Sequence, residues 1–111
     1  MSAQITQHTP DFATAPQIEV SDLKEIASQG YKTIICNRPD GEGGPDQPKA
    51  EAIKTEAIKL GLNFYHIPFS SGQLTEELVK EFATAVKSSA GPVLAFCRSG
   101  ARSTQIWSLG I

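Results

Sequence analysis

The sequence holds little that would staple, anchor or strongly charge a fold. Only two cysteines, Cys36 and Cys97, stand among 111 residues. That is too few for the disulfide framework of a small secreted domain. No apolar run approaches the roughly 20 residues needed to span a bilayer. Residues 1–10 lack a basic region followed by an apolar stretch, so neither a signal peptide nor a membrane partner is expected. Reduced thiols in a cytoplasmic setting follow as the expectation. Ten Lys and Arg face twelve Asp and Glu, a net charge of −2, which excludes a broad basic footprint for nucleic acid. His8 and His66 are isolated, and no Cys/His spacing fits a zinc site, so no metal or cofactor is expected. What remains is ordinary: 40% hydrophobic and 20% charged residues, the balance of a globular chain. Residues 1–111 suit a single domain whose core needs no disulfide or metal.

Periodicity orders the chain into strands and helices. Residues 1–20 read as a lead-in with one or two short strands, Ile18 and Val20 alternating with polar neighbours. Ser21 or Asp22 caps a short helix; Asp22 and Glu25 have capping-box spacing, and Gly30 stops it. Residues 31–36 are a β-branched run without polar alternation, as in a strand covered on both faces. Residues 37–48 carry three prolines and three glycines in turn-forming company, which excludes regular structure. A helix follows over 49–60 with Ala50, Ile53, Ala57 and Leu60 on one face, ended by Gly61. Residues 62–69 read as a strand. Thr75 caps a helix with Leu78, Phe82, Ala85 and Val86 as its buried stripe, and Leu74 and Val79 at staple positions. Residues 92–96 are another buried strand, and 101–109 have helical character. Strands alternating with helices predict an α/β fold with a parallel sheet. In such folds ligands sit beyond the carboxyl ends of the strands.

Cys97 stands at that place, opening the run Cys97-Arg98-Ser99-Gly100-Ala101-Arg102-Ser103. A short glycine-containing turn between a strand and a helix aims backbone N–H groups inward as an anion nest. Such donors and Arg102 favour a thiolate, the nucleophilic form of cysteine. Gly100 frees the backbone where a β-carbon would resist. Arg98, Ser99, Gly100 and Ala101 are the expected anion-binding residues, and Arg102 offers a planar fork to an oxyanion. Ser103 is expected to donate a hydrogen bond to the thiolate. The plainer alternative is a small buried core thiol, but a core cysteine does not need two arginines, two serines and a glycine directly after it.

The run from Cys97 to Arg102 resembles the C-R-x-G-x-R loop of rhodanese sulfurtransferases. It is similar to the Cys-x5-Arg loop of tyrosine phosphatases, one residue shorter. Together with residues 34–42, Ile67-Pro68 and residues 91–100, the chain resembles the phosphatase-like domain of beta-lactamase-hydrolase-like proteins, also called sulfur transferases. The resemblance covers roughly residues 17–109. It implies a three-layer, tyrosine/dual-specificity-phosphatase-like fold, further helix beyond Ile111, and in some relatives a link to a persulfide dioxygenase. Two features depart from the tyrosine phosphatase pattern: Phe96 stands where a His usually precedes the Cys, and the stretch Pro68-Phe69-Ser70-Ser71-Gly72 has no carboxylate.

Those departures favour sulfur transfer through a Cys97 persulfide, because sulfite or a thiolate leaves without a proton. Phosphomonoester hydrolysis through a thiophosphate is the alternative. A weakly catalytic anion-binding or redox module is a third. The substrate expected is a small anion: thiosulfate, a persulfide or a phosphoester. In the turn-rich segment, Asp40 is a candidate substitute acid and Arg38 a candidate anion contact, against the alternative of turn chemistry and solvated charge. Cys36 reads as a core thiol or, more sharply, as a resolving cysteine for Cys97. His66, Tyr65, Phe69 and Trp107 read as packing residues, with Trp107 and Leu109 anchoring the last helix.

Overall fold

The computed structural model describes residues 4–110. They form β1 (Thr6–Thr9), β2 (Phe12–Ala15), α1 (Leu23–Ser28), β3 (Thr33–Cys36), α2 (Ala50–Lys59), β4 (Asn63–His66), α3 (Glu76–Lys87), β5 (Val93–Phe96) and α4 (Ala101–Gly110). The sheet runs β1-β2-β5-β3-β4. β2, β5, β3 and β4 are parallel. β1 pairs antiparallel with β2, so the expected parallel sheet gains one reversed edge strand. Pro10 and Asp11 alone separate the two, a gap only a hairpin can close.

Strand parity builds two cores. Ala13, Ile34, Cys36, Leu94 and Phe96 face one side with Leu23, Ile26, Ile53 and Ala57 of α1 and α2. Phe12, Ile35, Val93 and Ala95 face the other with Phe82, Ala85 and Ile106 of α3 and α4. Helices thus cover both faces in three layers, which is why β3 and β5 are apolar throughout. Phe12 stacks on Trp107 with ring centroids 4.8 Å apart and meets Phe82 edge-on at 6.0 Å. Such ring pairs add about 0.5–1.5 kcal/mol beyond the area they bury.

Several local expectations are corrected. The second strand lies at Phe12–Ala15, not at Ile18 and Val20; Ile18 is a buried core residue outside any strand, and Val20 opens a 3-10 turn. The capping box is formed by Glu19 and Asp22, with Glu19 N–H donating to Asp22 Oδ2 at 2.8 Å. The tight turn begins three residues earlier than the helix, so it takes the cap. β4 is shorter than the apolar run because Leu62 N–H closes α2 on Ala57 and Pro68 has no N–H to offer. As the sheet edge, β4 leaves Tyr65 exposed rather than packed. α4 is anchored by Ile106 and Trp107, whereas Leu109 is 60% exposed. Among the described residues no helix is long and apolar enough to cross a membrane.

Candidate active site

The loop at residues 97–102 leaves the buried end of β5 and is pinned from both sides. Asn37 N–H donates to Phe96 O at 2.8 Å from β3, and Gln17 N–H donates to Arg98 O at 3.2 Å from β2. Gly100 has φ +95°, and a β-carbon there would sit 3.5 Å from the Ala15 carbonyl. The backbone conformation, more than the space, therefore demands glycine. Thr104 N–H reaches Gly100 O at 3.0 Å, and α4 begins.

This turn wraps its amides around Cys97. Gly100 N–H donates to Cys97 Sγ at 3.1 Å. Burial pushes the thiol up, but the surrounding backbone N–H groups of Ser103, Gly100, Ser99 and Arg102 offset it and leave it below its ordinary value. No surface of Cys97 is exposed. An open groove of about 540 Å³ runs along the outer edge of the loop past Ala15, Ser99, Gly100 and Thr104. Titration of thiolate ultraviolet absorbance is expected to give one transition below the free-thiol value of about 8.5. Cys97→Ser should remove that transition. A midpoint at or above the free value would mean that burial outweighs the donors.

Arg102 Nη1 donates to Glu42 Oε2 at 2.8 Å and to Phe69 O at 3.0 Å. Its Nη2 donates to Glu42 Oε1, 2.6 Å away. The guanidinium pKa is raised, chiefly by the Glu42 bond, with the nearby Cys97 adding to it. Arg38 Nε donates to the same Glu42 Oε1 at 3.0 Å, and Nη1 to Gln17 Oε1 at 3.1 Å. A β-carbon on Gly43 would come within 2.5 Å of Arg38 Nη2, so the turn needs glycine to let the guanidinium lie against it. The hydrogen bond from Arg102 leads those that hold the Glu42 carboxyl below its usual range.

The expected site residues thus separate into two groups. Cys97, Ser99, Gly100, Arg102 and the Ser103 backbone converge on the sulfur. Arg98 and Ala101 belong to the loop, with exposed side chains. Ser103 is corrected in its chemistry: its hydroxyl donates to Asn37 Oδ1 at 2.8 Å, and its N–H serves the sulfur. Asp40, the candidate acid, accepts the Ala50 N–H at its Oδ1, 2.8 Å away, at the start of α2. Arg38 is a buried tether for Glu42 rather than a free anion contact. Cys36, the candidate resolving thiol, closes β3. It pairs in register with Phe96 and shares that residue's core, so Cys97, one residue later, alternates away from it. Burial pushes the Cys36 thiol up to about 12, and its S–H donates to Arg38 O at 3.4 Å.

Glu42 and Asn37 are the functional positions that reasoning from sequence passed over. Both lie in the segment it singled out, and a Glu four residues after Arg38 amid glycines was the available signal. Loops at strand ends present several polar residues, and only the fold selects which one turns inward.

The family described as the phosphatase-like domain of beta-lactamase hydrolase-like protein matches residues 4–111. A beta-lactamase hydrolase-like protein of Agrobacterium fabrum is 35% identical over 96 residues, covering 86% of this chain. One from Xylella fastidiosa is 33% identical over 98 residues, covering 88%. The chain spans 22% of the length of each of these relatives. A crystal structure from Neisseria meningitidis Z2491, assigned as a phosphatase, is 36% identical with a TM-score of 0.80, covering 87% of this chain and 68% of that one. The core catalytic domain of a PP-IP phosphatase from S. cerevisiae, 16% identical with a TM-score of 0.69, shares the fold over 98% of this chain and 71% of its own.

Proposed function

The chain belongs to the family of phosphatase-like domains of beta-lactamase hydrolase-like proteins, and from that membership we propose that it is a thiolate-dependent hydrolase of small phosphoesters. The observation that carries the reading is the turn wrapped around Cys97, whose Gly100 N–H donates to the sulfur at 3.1 Å and whose backbone N–H groups lower the thiol below its ordinary value. The thiolate attacks phosphorus; a P–S bond forms as the P–O bond breaks, and the leaving oxygen departs with the electron pair. Water then attacks the phosphocysteine, releasing phosphate and returning the thiolate. Preorganised N–H donors stabilise the charge through both steps. Glu42 keeps the Arg102 guanidinium in place throughout.

Sulfur transfer is the second reading, supported by how the candidate carboxylates are engaged. The segment after Pro68 carries Ser70 and Ser71 but no carboxylate. Asp40 is committed to α2, and Glu42 is held ionised by two arginines. A general acid contributes about 10²–10⁴-fold to departure of a poor leaving group. Thiosulfate needs none. Its outer sulfur bonds to Cys97 as the S–S bond breaks, sulfite leaves with the electron pair, and cyanide takes the outer sulfur as thiocyanate. A cytoplasmic setting and a persulfide dioxygenase partner go with this reading.

The two are separated by incubating the protein with an aryl phosphate, an alkyl phosphate, and thiosulfate plus cyanide. We expect phosphate release, with the aryl ester faster by about 10²-fold or more because its phenoxide needs no acid. Thiocyanate without phosphate would replace the first reading by the second. Turnover of none of the three would leave an anion-binding module.

A further inference from the structure

Asn37 has no exposed surface, nor has Ser103. The Asn37 amide is held at both ends: Nδ2 donates to Ile67 O at 2.9 Å, and Oδ1 accepts the Ser103 hydroxyl at 2.8 Å. Its main chain adds two more bonds, N–H to Phe96 O at 2.8 Å and O from Phe69 N–H at 3.3 Å. One residue therefore ties the end of β5, the exit from β4 and the first turn of α4. An apolar side chain of the same shape would fill this place without the cost of desolvating an amide. A fully satisfied buried network, by contrast, fixes a unique geometry.

We propose that Asn37 is a positioning residue for Cys97: by holding the Ser103 hydroxyl, it locks the first turn of α4 so that the Ser103 N–H points at the sulfur. The hydroxyl is then an anchor and not a donor to the thiolate. The proposal rests on reading Cys97 as the reacting thiolate, but it makes no choice between phosphorus and sulfur as its target. Oδ1 and Nδ2 have distinct partners, so the amide has one orientation that satisfies both. The helix start inherits that orientation through a single 2.8 Å bond.

The test is the thiolate absorbance titration applied to Asn37→Ala, Ser103→Ala and the double variant. Each single change breaks the same link, so each is expected to raise the midpoint by about half to one unit. The double variant should rise no further, because residues acting as one unit are non-additive. If Ser103→Ala raises the midpoint and Asn37→Ala does not, the hydroxyl acts on the sulfur itself and the proposal is overturned. Additive shifts, or none, overturn it equally. A parent midpoint that is not below the free-thiol value takes the reading of Cys97 down with it, whereas a low parent midpoint unmoved by the variants sinks only the role of Asn37. Should Asn37→Ala lose its fold, Ser103→Ala decides by NMR. The residue-103 amide resonance is expected to stop following the Cys97 titration, and full tracking there would overturn the proposal.

Discussion

Exchange of Cys97 for serine is expected to lower turnover by about 10⁴-fold or more, whichever small anion is the substrate. The cradle's donors carry a thiol below its ordinary value, but a serine hydroxyl titrates so much higher that the same bonds leave it neutral. The two side chains are nearly the same size, and the donors belong to the backbone, so the cradle survives the change. Inorganic phosphate or sulfate should therefore still bind to Cys97→Ser with affinity close to the parent's. Turnover and anion affinity, measured side by side, separate the nucleophile from the nest. Activity within tenfold of the parent would mean that bond making happens elsewhere.

Arg102→Lys is expected to cost about 10²–10³-fold, comparable to losing one preorganised donor from an oxyanion site. Arginine here meets both oxygens of Glu42 and the Phe69 carbonyl. A single ammonium cannot match that planar spread, although it keeps the charge. Glu42→Gln tests the same tether from the other side and should cost about tenfold, since a misplaced binding group loses rate even when it is present. The pH dependence follows from sign. The Glu42 carboxyl is lowered by its arginines, so its contribution is present above the ordinary carboxylate value and is lost only as pH falls through the lowered one. The acid limb of kcat/KM should accordingly follow the Cys97 thiolate. A collapse centred near the ordinary value of about 4.3 would show that Glu42 is not held by this pair.

Where sequence and structure agree, a strong local pattern leaves one outcome. β5, the turn at residues 97–102 and α4 follow from an apolar run, a glycine and an arginine at fixed spacing. α2 and α3 follow from their apolar stripes and stops. Where they part, the deciding contact is distant in sequence. Nothing near residue 40 says that Asp40 faces Ala50 while Glu42 turns to Arg102. That choice is made by α2 and by a residue 60 positions onward. Ser103 has the right chemistry to serve a thiolate with its hydroxyl, and only the buried amide of Asn37 diverts it. Edge position explains Tyr65, because an apolar-looking strand is packed only if another layer covers it.

The pins on the cradle also set an order of assembly. Ala15 O accepts the Cys97 N–H, and Gln17 N–H holds Arg98 O, contacts that close loops of about 80 residues. Closing such loops costs chain entropy before any contact repays it, so long-range pairings of this kind mature late. Proteins caught while still folding would hold helices and a partial sheet around a cysteine whose donors are not yet assembled. Ionisation of Cys97 is then expected to report a late stage of folding, after β2 has docked beside β5.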